Sequence, residues 1–243
     1  MERPKPDEMT FLEHLEELRW RILKSLGAIV IFAIVAFIFA DRVIAFLTAP
    51  ALALDKPVIM QALRVSDVFM VQLIASLLVG LVLACPVVIY QAWHFIVPAL
   101  GRSSRMLTLA IVLFGSVFFL IGITFGYKVM LPFSLRFFTS LGGDLVESNF
   151  SIHAYLGYAA WILVAAGLVF QLPVVSFILT RIGLLTPPFL RHYRRYALVG
   201  ILIFSAILTP PDPLSQVLMA IPLLGLYEFS ILISKIFSKS DYS

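Results

Sequence analysis

Cysteine is nearly absent from this sequence, because Cys85 is the only one among 243 residues. A single cysteine excludes a disulfide within the chain, and it also excludes a metal site built on several thiolates. His94 has no partners at the spacing that metal ligands show, so it does not point to a metal site either. We therefore expect neither a metal ion nor another cofactor.

Charged residues are also scarce, at 13% of the chain, whereas hydrophobic residues make up 61% and the mean hydropathy is +1.01. This balance excludes a soluble fold, because a soluble surface must be largely polar. The net charge of +4 is modest, and it indicates membrane topology more than a nucleic-acid-binding surface. Short alternating segments, which would indicate a membrane β-barrel, are lacking. The sequence predicts an all-α polytopic membrane protein.

Motifs of catalysis are missing as well. The chain has no phosphate-binding loop, no glycine-rich dinucleotide fingerprint and no nucleophile–base motif, so we expect no enzyme activity. A secondary transporter of small solutes is the other class to weigh. It would need more charge within the membrane than this sequence offers, and no repeat of fixed period is visible.

Six apolar runs set the predicted organisation, and a span needs about 20 apolar residues. The fifth run has about 13, or roughly 20 Å of helix against a hydrocarbon core of about 30 Å. The last two runs are therefore short spans or a re-entrant hairpin, and we favour six spans in a single membrane domain, 1–243. The predicted segments are an amphipathic cytoplasmic helix at 1–21, spans at about 22–40, 68–97, 106–131, 154–180, 196–208 and 214–233, and outer cap loops at about 41–67 and 132–153.

The distribution of basic residues predicts the orientation. Thirteen of the 18 Lys and Arg residues fall on the side that holds both termini, and five fall on the other side. Because loops on the cytoplasmic side carry the excess of Lys and Arg, both termini are predicted to be cytoplasmic.

The N-terminal segment nevertheless carries three acids, Glu13, Glu16 and Glu17, ahead of the first span. One interpretation is a solvated helix face on which Glu17 and Arg21 form an i,i+4 ion pair. The other is a docking place for a basic partner, because a carboxylate can receive a guanidinium through two hydrogen bonds.

Two polar residues lie within the apolar runs, where such groups are costly unless they are paired or face a cavity. Gln171 ends a stripe of small residues, and it either bonds across closely packed helices or offers a polar contact in a groove that admits a partner helix. Pro173 removes a backbone donor, so a kink is expected nearby. Glu228 is expected to bond to a neighbouring helix, and Lys235 is a doubtful partner because it can extend outward to the interface.

Several segments, in this order, resemble the TatC family, the multispanning subunit of the twin-arginine protein translocase. The resemblance covers nearly the whole chain, and its most specific parts are the N-terminal Glu-Leu-Arg and the Thr-Pro-Pro-Asp turn. The matching residues are His14-Leu15-Glu16-Glu17-Leu18-Arg19, Pro86, Tyr90-Gln91, Trp93, Phe95, Pro98-Ala99-Leu100, Phe170, Pro173, Leu208-Thr209-Pro210-Pro211-Asp212, Ser215-Gln216, Ala220-Ile221-Pro222 and Tyr227-Glu228.

The resemblance implies a cupped bundle of six helices with short fifth and sixth helices, in the bacterial cytoplasmic membrane. It implies a receptor for twin-arginine signal peptides that recruits TatA- and TatB-type single-span subunits into an oligomeric complex. Folded proteins would then be exported with the proton-motive force, with membrane lipid around the complex and no nucleic acid involved.

The resemblance also implies roles for individual residues. Glu17 would meet the arginines of the signal peptide, with Arg19 beside it in the same motif and Phe95 near the first cytoplasmic loop. Glu228 would contact the helices of partner subunits. The turn that includes Asp212 would hold structure, together with Pro210 and Pro211.

Two positions depart from the family pattern. Ser104 stands before Arg105 where the family usually has a glutamate, so the second carboxylate that would pair with arginine is missing. Gln171 likewise replaces a usual glutamate, and an amide can hydrogen-bond but cannot ionise. Glu17, with Glu13 and Glu16, is therefore predicted to carry more of the recognition.

Overall fold

The computed structural model describes residues 11–54, 59–96, 105–141, 149–181, 183–208 and 213–237. These residues form ten α-helices, one π-helical turn and two short strands. The helices are α1 (Phe11–Phe37), α2 (Ala40–Leu52), α3 (Asp67–Ile96), α4 (Arg105–Phe125), α5 (Leu131–Leu141), α6 (Ile152–Val169), α7 (Leu172–Arg181), α8 (Pro187–His192), α9 (Arg194–Leu208) and α10 (Pro213–Phe237). The π-helical turn is Gly126–Met130, and the strands β1 (Ile59–Gln61) and β2 (Asn149–Ser151) pair in parallel.

Five helical segments are long and apolar enough to cross a membrane, which confirms the predicted class of all-α membrane protein. Helix α9, with 15 residues, spans only about 22 Å at 1.5 Å per residue, so the short fifth span stays a prediction. The five segments are Leu12–Phe37, Asp67–Ile96, Arg105–Ser140, Ile152–Arg181 and Gln216–Ile236.

The helix boundaries differ from the predicted segments in three places. Helix α1 continues from the N-terminal acidic segment into the first span without a break. Helices α2 and α5 lie within segments predicted as outer loops, because their apolar residues, such as Leu47 and Leu135, pack into the core. The predicted span at 154–180 is divided into α6 and α7 next to Pro173, which has no N–H for a helical bond.

The larger hydrophobic core begins at the end of the bundle that holds α2 and α5, and it also includes residues of the first half of α3, α6, α9 and α10. Two tyrosines tie α2 to it, since the Tyr155 hydroxyl donates to the Leu47 carbonyl at 2.7 Å and Tyr127 donates to that of Phe46 at 2.6 Å. A smaller cluster around Trp93 and Ile111 lies at the opposite end. The larger core therefore includes the two helices that lie within the predicted outer segments.

The buried carboxylate of Asp67 fixes the turn that leads into α3. It is 3% exposed, and its Oδ2 accepts the backbone N–H groups of Leu63 and Arg64, each at 2.9 Å. We expect Asp67→Ala to lower the free energy of unfolding by about 1–3 kcal/mol, because two buried donors lose a charged acceptor. Thermal unfolding in detergent measures this. Asp41→Ala, which removes an exposed acid from α2, is the matched control, and equal losses for both variants would contradict the prediction.

Candidate functional site

The close approach of α1 and α3 positions the candidate site. A Cβ added to Gly80 would lie 2.7 Å from the backbone nitrogen of Ala33 and 2.8 Å from the carbonyl oxygen of Ile29, so the two helices pack with little space between their backbones. The helices run antiparallel, and the start of α1 therefore lies beside the end of α3. This brings Arg21 into contact with Gln91 and His14 into contact with Phe95, which lie 70 or more positions away in the sequence.

Glu17 and Arg21 form an ion pair that is packed against α3. The Arg21 Nε donates to Glu17 Oε1 at 3.0 Å, and its Nη2 donates to the same oxygen. The third nitrogen, Nη1, donates to Oε1 of Gln91 at 3.5 Å. The side chains are 22% exposed for Glu17 and 18% for Arg21, so this i,i+4 pair is not the fully solvated one that the sequence left open.

The second oxygen of Glu17 is buried and accepts no hydrogen bond from any residue that the structure describes. Its polar neighbour is His14, whose Nδ1 lies 4.0 Å away. The His14 ring stacks on Phe95, with 4.4 Å between the ring centroids. The aromatic residue predicted for the site is thus linked to Glu17 through His14. This carboxylate oxygen keeps lone pairs that no donor among the described residues uses, and a cation reaches it only when neighbouring side chains move.

The remaining residues predicted for signal-peptide binding are arranged more loosely. Glu13, Glu16 and Arg19 are exposed on α1, and Arg105 is exposed at the start of α4. Ser104 lies outside the described residues. Of the three predicted acids, the structure places Glu17 against α3.

The apolar side of α1 faces outward instead of into the protein. Leu15 is 46% exposed and Ile22 is 49% exposed, whereas Glu17 and Arg21 face α3. This orientation suits a helix in a membrane, where lipid solvates apolar side chains and polar groups gather against other helices.

Gln171 lies in the break between α6 and α7 and bonds to a neighbouring helix. Its Nε2 donates to the carbonyl oxygen of Gly115 at 3.0 Å. Within the predicted stripe of small residues, Gly167 packs against the Phe119 ring, whereas an added Cβ at Gly157 would meet nothing within 4 Å. The stripe is therefore closely packed at the Gln171 end and open at the other.

An apolar groove begins beside this hydrogen bond. It has a volume of about 480 Å³ and lies between α4, α7 and α10, close to the cluster around Trp93. Its lining includes Ile111, Phe114, Phe118, Val174, Phe177 and Phe229. The groove and the Glu17 site are thus at the same end of the bundle.

Glu228 is paired with Arg194 at the start of α9. Arg194 Nε donates to Glu228 Oε1 at 2.7 Å, and its Nη2 donates to Oε2. This bond to Glu228 raises the pKa of Arg194. Tyr227 adds a second link, because its hydroxyl donates to the Leu190 carbonyl at 2.6 Å. Glu228 therefore connects α10 to α9, while the turn residues Pro210, Pro211 and Asp212 lie outside the described residues.

Sequence reasoning missed three of these contacts. His14 could have been found from its i,i+3 spacing to Glu17, which places both side chains on one helix face. Gln91 and Arg194 carried no such signal, since their partners lie 70 and 34 residues away in the chain. In the described part of the chain, no group of three or more His, Cys, Asp or Glu side chains is arranged to hold a metal ion.

Comparison with known proteins gives a family for the chain. The family model described as "Sec-independent protein translocase protein (TatC)" matches residues 13–222. The TatC protein of Desulforapulum autotrophicum is 37% identical over 238 residues, which cover 98% of this chain and 88% of that relative. The TatCy protein of Bacillus subtilis is 37% identical over 236 residues, which cover 97% and 92% of the two chains.

Two crystal structures described as the twin arginine translocase receptor TatC have the same fold. One superimposes with a TM-score of 0.79 at 36% identity, over 93% of this chain and 100% of the other. The second, determined in the detergent DDM, gives a TM-score of 0.80 at 37% identity, over 91% and 99%. Because the family model, the related sequences and the two crystal structures each match nearly the whole chain, this chain belongs to the TatC family.

Proposed function

We propose that this chain is the signal-peptide receptor and core subunit of the twin-arginine translocase. Membership of a protein translocase family makes it a membrane transport component and not an enzyme. The observation that carries the receptor role is the buried, unbonded oxygen of Glu17 at the α1–α3 contact. A carboxylate in this position provides a low-dielectric site for a guanidinium, which the exposed acids of α1 do not.

The paired arginines of a signal peptide bind at Glu17, with the exposed Glu13 and Glu16 adding attraction at longer range. Arg19 and Arg105 flank the site on α1 and α4, and Ser104 supplies no charge where a second acid is usual. The ring of Phe95, stacked on His14, forms the apolar wall beside the arginines. Recognition of the arginines in this chain therefore depends mainly on α1.

The apolar helix of the signal peptide then lies along the groove between α4, α7 and α10. Its lining is apolar throughout, and the Gln171–Gly115 hydrogen bond lies beside it. Burial of apolar surface would contribute to binding without a strict sequence requirement. A site with a charged contact at the entrance and apolar contacts beyond it fits a receptor with many cargo proteins.

The chain lies in the bacterial cytoplasmic membrane with both termini in the cytoplasm, as the excess of basic residues on that side indicates. It recruits TatA- and TatB-type subunits, and the complex exports folded proteins with the proton-motive force. The pair of Glu228 and Arg194 holds α9 and α10 together, and its side chains, 49% and 59% exposed, are accessible to those subunits.

Photocrosslinking in membrane vesicles tests the receptor role. A twin-arginine signal peptide with a photoreactive residue next to the arginines should crosslink to the start of α1 and the end of α3. The same peptide with two lysines should crosslink much less, because an ammonium cannot form the two parallel bonds of a guanidinium. Equal labelling by the two peptides, or labelling only at distant helices, would show that the site does not recognise arginine.

A further inference from the structure

The arginine-binding carboxylate is already occupied by an arginine of the same chain. Arg21 donates from Nε and Nη2 to a single oxygen of Glu17, and from Nη1 to Gln91. All three nitrogens of the guanidinium are thus engaged. The bond to Gln91 joins α1 to α3, so Arg21 is held by tertiary structure and not only by its helical spacing from Glu17.

This arrangement blocks the approach of a second guanidinium. A bidentate contact needs both oxygens of the carboxylate. Oε1 already accepts two bonds from Arg21, which are as many as its lone pairs allow. Oε2 is buried beside His14, which is itself packed on Phe95. An incoming arginine therefore forms both bonds only after Arg21 leaves Glu17.

We propose that Arg21 is an internal competitor that sets the affinity threshold of the Glu17 site, an inference that rests on the receptor function proposed above. The exchange replaces one guanidinium by another, so the cost of releasing Arg21 is subtracted from the free energy that the contact with Glu17 contributes. Binding then depends on the second arginine and on the apolar part of the peptide. A lysine ammonium pays the same cost for the release of Arg21 but makes a weaker contact with Glu17, so a twin-lysine peptide binds less tightly.

Competition has a quantitative signature. The release of Arg21 costs every ligand the same amount, so its removal strengthens the binding of all cationic ligands by one common factor. A residue that instead positioned Glu17 for arginine would have the opposite effect, because its removal would weaken arginine binding selectively. The two roles are thus distinguishable from two dissociation constants.

The experiment measures the affinities of a twin-arginine and a twin-lysine signal peptide for the purified full chain in detergent. We expect Arg21→Gln to tighten the binding of both peptides by about threefold to tenfold, the range for a partly exposed ion pair. The ratio of the two affinities should stay unchanged. Arg21→Lys keeps the charge but loses the planar set of guanidinium donors. It should therefore give a smaller increase in affinity for both peptides.

Lys24→Gln is the matched control, because it removes one positive charge from an exposed site one turn along α1. If Arg21→Gln gains no more than Lys24→Gln, the effect is one of net charge and the proposal is wrong. Weaker binding of the twin-arginine peptide by both Arg21 variants, with thermal unfolding like that of the wild type, would also overturn it. Failure of the wild type to bind the twin-arginine peptide would instead refute the receptor function.

Discussion

Glu17→Gln is expected to weaken the binding of a twin-arginine signal peptide by about threefold to tenfold, because the release of Arg21 offsets part of the contact. The amide keeps the shape of the side chain but loses the charge, so the guanidinium loses a charge-assisted contact. Such bonds contribute about 1.5–3 kcal/mol when they are shielded from water. Glu17 is 22% exposed, which favours the lower half of that range. Peptide titration against the purified chain gives the change in dissociation constant.

Two further variants separate the site from general charge effects. Glu16→Gln removes an acid next to Glu17 that is exposed, so its loss in affinity should be clearly smaller. Asp41→Asn removes an exposed acid from α2 and controls for the change in net charge. If Glu16→Gln equals or exceeds the effect of Glu17→Gln, recognition is spread over the acidic face of α1, and the buried oxygen has no special role.

The part of this fold that can be predicted from the sequence follows from the properties of the membrane as a solvent. Apolar runs of about 20 residues must form helices, since backbone groups in lipid have to bond within their own segment. The interruption near Pro173 was predictable for the same reason, because proline lacks a backbone donor. The orientation of α1 was harder. Leu15 and Ile22 share one face of α1 at helical spacing, but this face is exposed, and the face that contacts α3 carries Glu17 and Arg21.

The site was predictable only in part. Glu17 and Phe95 came from the resemblance, and the spacing of Glu17 to Arg21 predicted their ion pair. Whether that pair was solvated depended on a contact with Gln91, which no local pattern encodes. The partner of Glu228 was likewise set by the fold, since Arg194 reaches it across a helical hairpin. Sequence thus gives the charged groups, and the packing of distant helices decides which of them are shielded.

The packing of α1 on α3 provides the second large effect, because the site exists only where these helices meet. Gly80→Leu would place side-chain atoms where the backbone of α1 now lies, within 2.8 Å of atoms of Ile29 and Ala33. Backbone atoms cannot rotate away as a side chain does, so α1 has to shift. We expect a loss of stability of about 1–3 kcal/mol or more and a loss of twin-arginine peptide binding, as Arg21 and His14 beside Glu17 move away from Gln91 and Phe95.

Gly27→Leu is the matched control for this prediction. The substitution is the same and lies on α1, but an added Cβ there would meet nothing within 4 Å. Gly27 is exposed on the outer side of α1, where leucine suits both lipid and helix. Thermal unfolding in detergent and peptide crosslinking should therefore separate the two variants, with Gly27→Leu close to wild type. Equal behaviour would mean that α1 can move away from α3 without cost, and that the shielding of Glu17 does not depend on their contact.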